Sequence, residues 1–151
     1  MKRFLCVMLA FILALALLGC SGSAGDSGSS AEKDEYGVDL DLSVLSGNVV
    51  YAEVYNMTTA PEKYIGETVK IRGNFSVYID DSTGAVYYAC VIPDATACCS
   101  NGIEFTLKDP RKYPDEYPKL GSVITVVGTF GTYYEGANRY CTLTDASLLD
   151  S

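Results

Sequence analysis

Residues 67–79, "ETVKIRGNFSVYI", alternate between two chemistries. Val69, Ile71, Gly73 and Phe75 fall on one side and Lys70, Arg72, Asn74 and Ser76 on the other, the period of a half-buried strand. The run is longer than the usual strand of about 5–6 residues, and a glycine in its middle marks a bend. A long strand bent at Gly73 can serve two halves of one closed sheet. Turn residues at 80–84, "DDSTG", separate it from a second strand over 85–92, "AVYYACVI". Further strands are expected over 102–107, 122–130 and 139–149, with a turn region at 132–138. Between the third and fourth strands, residues 108–121 carry Pro110, Pro114 and Pro118. Proline lacks the amide donor and blocks regular extension, so this segment reads as a loop with at most one helical turn. Upstream, 48–57 fits a short helix capped by Ser46 or Asn48, with Pro61 beyond its end. Its β-branched and aromatic residues suit a strand almost as well.

Three strands, a connecting segment and two more strands is the order of the oligonucleotide/oligosaccharide-binding (OB) barrel. The stretch 61–75, "PEKYIGETVKIRGNF", resembles the opening of bacterial OB domains, a Tyr-x-Gly-x-x-Val step into a long first strand. The fold class expected is therefore all-β, a small five-stranded OB-like Greek-key barrel with a short N-terminal helix, spanning 38–151. Gly128 would bend the fourth strand as Gly73 bends the first. A small open β-sandwich is the alternative.

The chain begins with a different kind of segment. Lys2 and Arg3 precede an apolar run over 4–18, and small residues close it, the layout of a secretory signal over 1–19. The run is shorter than the roughly 20 residues that span a bilayer as a helix. It ends in "LLGC", which resembles the lipobox of bacterial lipoproteins. That resemblance implies that the Cys20 thiol carries diacylglycerol, that the chain is cut before it, and that the protein is held at the extracytoplasmic face of the cell membrane. Residues 20–37, rich in Ser, Gly and charge, then read as a disordered tether with a coil reach of roughly 20–25 Å. Loss of Lys2 and Arg3 with the signal takes the formal charge from −8 to −10. Such a domain is repelled by phosphates, which argues against nucleic acid as a partner.

Four cysteines remain beyond Cys6 and Cys20: Cys90, Cys98, Cys99 and Cys141. In an OB layout the strands carrying them bring all four toward one end of the barrel. Two readings stand beside each other. Export permits disulfides; a Cys98–Cys99 bridge is disfavoured by the short spacing of adjacent Cα atoms, which pairs Cys90 with one of them and Cys141 with the other. Alternatively the thiolates hold a metal, zinc being the first choice. The spacing is C-x₇-C-C rather than that of a zinc ribbon, and the chain has no histidine, so a carboxylate such as Asp94 or Glu104 would complete a partial site. Use of both adjacent thiols calls for a contorted backbone, which favours three thiolates over four. Thioredoxin-like redox chemistry needs C-x-x-C at a helix start, and the segment has neither.

The stretch 94–105, "DATACCSNGIEF", is similar to the vicinal-cysteine segment in the OB-like extracytoplasmic domain of a permease-associated membrane protein family. The match falls on Cys98, Cys99, Asp94 and Ala95, with the Asp-Ala step before the cysteine pair rather than after it, and the family's membrane helices have no counterpart here. It implies that such a module serves transport at a cell surface. Tyr78, Tyr87 and Tyr88 lie on the first hairpin, whose face binds ligands in OB folds; tyrosine offers a flat apolar ring with a hydroxyl, though it also fills half-buried strand positions. Without histidine, Ser-His-Asp and Cys-His catalysis are excluded. The expectation is a non-enzymatic lipoprotein that recognises a cell-envelope protein or a small ligand beside a transporter, with a thiol-based metal-transfer or redox protein as the alternative.

Overall fold

A computed structural model describes residues 35–149 apart from Ala97. The signal expected over 1–19, Cys20 and most of the tether expected over 20–37 lie outside the described residues. Six strands form one sheet: β1 (Leu40–Asp41), β2 (Thr68–Ile79), β3 (Val86–Pro93), β4 (Ser100–Leu107), β5 (Val123–Glu135) and β6 (Asn138–Leu149). One helix, α1 (Gly47–Thr59), precedes a 3-10 turn at Pro61–Lys63. The protein is all-β in character, as the strand pattern implies.

The sheet closes because β2 has two partners. Its first half, from Thr68 to Asn74, pairs antiparallel with β5, and its second half, from Asn74 to Ile79, pairs antiparallel with β3. The order β2-β3-β4-β6-β5 then returns to β2, with β4 and β6 parallel and the other contacts antiparallel. This is the OB connectivity. β1 lies outside the ring, parallel to β2 at Leu40↔Val69 and Asp41↔Lys70.

Glycines stand at two places where the pairing of a strand changes. At Gly73 a Cβ would lie 2.6 Å from Ile92 Cδ1, 2.7 Å from the Val91 carbonyl oxygen and 2.9 Å from Cys90 Sγ. The backbone oxygen cannot swing away as a side chain can, so β2 crosses from one neighbour to the other only without a side chain here. Gly73→Ala is expected to destabilise the fold by about 1–3 kcal/mol through overpacking, read as a lower denaturant midpoint. The same change at Gly131, where a Cβ meets nothing within 4 Å, is the control. Gly128 sits at a β-bulge: Val127 pairs with Ser147 and Thr129 with Thr144, so Asp145 and Ala146 together oppose Gly128. Asp145 has φ 50°, the left-handed geometry such a bulge uses.

The alternation read from 67–79 is realised: Val69, Ile71 and Phe75 are buried, with Ile92, Ile103, Phe105, Ile124, Val126, Phe130 and Leu143. α1 adds Val50, Val54 and Met57 to this core. The helix begins after Ser46 in extended conformation and ends before Pro61, as the capping signals imply, although Ser46 makes no side-chain cap bond. Asn101 Nδ2 of β4 donates to Thr58 Oγ1 at 3.3 Å, tying the helix to the barrel.

Two loop readings change. Residues 132–135 continue β5 instead of turning, and the hairpin reverses at Gly136, φ 59°. The proline-rich segment is irregular, yet its Tyr113 and Tyr117 fold onto the core. Tyr117 stacks on Tyr88 at a centroid distance of 4.2 Å and on Phe75 at 5.8 Å.

Candidate functional site

Neighbouring residues of a strand point to opposite sides, and this divides the three tyrosines expected at the ligand face. Tyr78 and Tyr87 are register partners on the outer face, with ring centroids 6.1 Å apart. Tyr88 points inward, half-buried among Phe75, Phe105, Tyr113 and Tyr117. The structure therefore separates Tyr88 from the other two.

The outer face gains members that sequence reasoning missed. Tyr133 and Tyr140, register partners on β5 and β6, stack at 5.5 Å. With Tyr78, Tyr87, Glu104 and Glu135 they line one depression. The Tyr87 hydroxyl donates to Glu135 Oε1 at 2.7 Å, and the Tyr133 hydroxyl donates to Glu104 Oε2 at 2.6 Å. The bond to Glu135, with some desolvation, pushes the Tyr87 phenol up to about 12. Burial and then the bond to Glu104 push the Tyr133 phenol up. Burial also raises the Glu104 carboxyl, and Glu135 adds to the rise, while the Tyr133 hydroxyl opposes it. Both phenols thus keep their protons at neutral pH, and two carboxylates lie among four rings.

Tyr87 and Glu104 also border a neighbouring cleft of about 280 Å³, lined as well by Pro110, Arg111 and Tyr117. That is at the lower end of small-molecule sites, about 300–1,000 Å³. The tyrosine depression is smaller still, about 60 Å³, so a ligand there would lie across the rings.

The cysteines do not gather as a set of four. All are free thiols. Cys90 follows the inward alternation of β3 and is fully buried, where desolvation pushes its thiol up to about 12. Cys141 is half-buried under α1, its Sγ 3.8 Å from the Met57 carbonyl oxygen, and burial raises its pKa. Cys98 and Cys99 are exposed in the connection between β3 and β4, their sulfurs 3.7 Å apart. The third member of their group is Asp94, with one ligand atom from each residue lying within 4.8 Å of the others. Glu104, the other carboxylate considered for a metal, belongs to the tyrosine face.

The surroundings of Cys99 disfavour its thiolate. The hydrogen bond with Cys98 and the charge of Asp94 raise the Cys99 thiol, whereas a reactive cysteine needs its thiolate favoured. Asp94 itself is lowered: partial desolvation raises it, and the hydrogen bonds from Cys98, Cys99 and Thr96 outweigh that effect.

No known protein-family model matches this chain. A search of curated proteins finds no match either. Among the described residues, no helix is long and apolar enough to cross a membrane.

Proposed function

We propose that this protein is a non-enzymatic binding module, anchored by lipid on Cys20 to the outer side of the cytoplasmic membrane, that recognises a hydroxyl-rich or cationic ligand across its tyrosine face. The observation that carries this reading is the grouping of Tyr78, Tyr87, Tyr133 and Tyr140 around Glu104 and Glu135. Aromatic faces stack on sugar rings and on the apolar parts of a partner, and they also attract cations. Carboxylates accept hydrogen bonds from hydroxyls and ammonium groups and repel phosphate. The lipobox sequence and the Ser/Gly-rich stretch after it support the anchored placement.

Tyrosine emission tests the ligand reading directly, since the chain has no tryptophan. Full-length protein in detergent is titrated with chitotetraose as the hydroxyl-rich probe and tetralysine as the cationic one. Saturable quenching by either is expected, with affinity about tenfold weaker in a Tyr87→Ala/Tyr133→Ala double variant, if each ring contributes about 0.5–1.5 kcal/mol as aromatic contacts do. Absence of a response to both probes, or an undiminished response in the variant, removes the face from consideration.

A further inference from the structure

The connection between β3 and β4 is organised by a single carboxylate. Asp94 Oδ1 accepts hydrogen bonds from the Thr96 amide at 3.1 Å and the Cys98 amide at 3.0 Å. The Thr96 hydroxyl lies 3.1 Å from each Asp94 oxygen. The Asp94 amide donates to the Cys99 carbonyl at 2.9 Å, closing the loop at its base. Three ligand atoms, from Asp94, Cys98 and Cys99, come together here within 4.8 Å of one another. Cys98 Sγ lies 3.4 Å from Asp94 Oδ2 and 3.7 Å from Cys99 Sγ.

Those separations match a metal's requirements. Zinc binds thiolate at about 2.3 Å and carboxylate oxygen at about 2.0–2.2 Å in tetrahedral geometry. Tetrahedral angles then set sulfur–sulfur at about 3.8 Å and sulfur–oxygen at about 3.6 Å. The sulfurs are not placed for a mutual disulfide, whose bond is about 2.05 Å. Nor do they fill the core, where free cysteine usually resides; both are exposed.

We propose that Asp94, Cys98 and Cys99 form a three-ligand, solvent-open site for a thiophilic divalent cation of the zinc type. Two thiolates and a carboxylate supply three negative charges, and the two thiol protons pass to solvent on binding. With both sulfurs exposed, the fourth position is left to water, unlike a structural zinc site closed by four protein ligands. Thr96, whose Oγ1 lies 3.0 Å from Cys98 Sγ, orients both the sulfur and the carboxylate. The site uses none of the tyrosine-face residues, so it stands independently of the ligand proposed there.

Cobalt reports on the site. Reduced full-length protein titrated with Co²⁺ is expected to take up one equivalent with a near-ultraviolet sulfur-to-cobalt charge-transfer band and the visible bands of four-coordinate cobalt, both bleached by Zn²⁺. Cys98→Ser/Cys99→Ser abolishes the bands and Cys141→Ser leaves them intact. Thr96→Val, which retains all three ligands, weakens zinc about 10–100-fold, as loss of an orienting partner does elsewhere. An unchanged thermal melt of the metal-free variants separates loss of the site from loss of the fold. The proposal is overturned if reduced wild-type protein shows no charge-transfer band, or if the band survives in the Cys98→Ser/Cys99→Ser variant.

Discussion

Phe75→Ala is expected to remove about 3–5 kcal/mol of folding free energy, the usual cost of truncating a large buried aromatic. Phe75 is 1% exposed. It lies next to Asn74, where β2 changes partner, and its ring packs on Tyr88, Tyr117 and Phe105 at centroid distances of 6.2, 5.8 and 6.3 Å. Its backbone N–H also bonds the Ser122 carbonyl and its carbonyl accepts from Gly121, so it joins the proline-rich loop to the start of β5. A domain of this size commonly has about 5–15 kcal/mol in total, so the variant falls near the edge of stability. Thermal melts of the full chain should show a midpoint at least about 10 °C lower. Tyr78→Ala, on the same strand but 67% exposed, should change stability by no more than about 0.5 kcal/mol. Equal losses at the two positions would contradict the inward and outward assignment of β2.

Cys20→Ser is the second change with a large effect, and it tests the anchor. In a bacterial host supplied with labelled palmitate, the wild-type chain should incorporate label and lose residues 1–19. The variant should incorporate none and keep the full precursor mass. Two acyl chains are needed for this attachment to be stable: each buried CH₂ is worth about 0.8 kcal/mol, and a single chain binds only marginally. Cys98→Ser/Cys99→Ser should retain its label, which assigns acylation to position 20. An unlabelled wild-type chain, or label that persists without Cys20, would remove the lipoprotein reading while leaving the barrel as described.

The barrel was legible because its signals are local. Alternation at 67–79 located β2, its inward face and its bend, and turn residues at 80–84 located the first hairpin. Misreadings arose where local chemistry and tertiary placement part. "TYYEGAN" has the composition of a turn, but Tyr133 and Tyr134 continue β5 because β6 runs antiparallel beside them, at Tyr133↔Tyr140 and Tyr134↔Arg139. Tyr113 and Tyr117 sit in an irregular loop, and nothing nearby in sequence says that they cover Phe75. The division between Tyr87 and Tyr88 was present in the period of two. So was the burial of Cys90, which shares its side of β3 with Tyr88 and Ile92. The pairing of Asp94 with Thr96 has the spacing of an Asx turn, the one local sign that the loop holding Cys98 and Cys99 is shaped rather than slack.

A ring of strands has an outcome that an open sheet lacks. Unsatisfied backbone along a sheet margin is where one molecule can add itself to another, and natural proteins guard such margins. Here β2 is shared between β3 and β5, so most of the sheet turns back on itself, and the margins left are short: the two-residue β1, residues 100–103 of β4 and the tip of the β5–β6 hairpin. Copies crowded side by side would find only these short margins to zip onto, too brief for a long shared ladder.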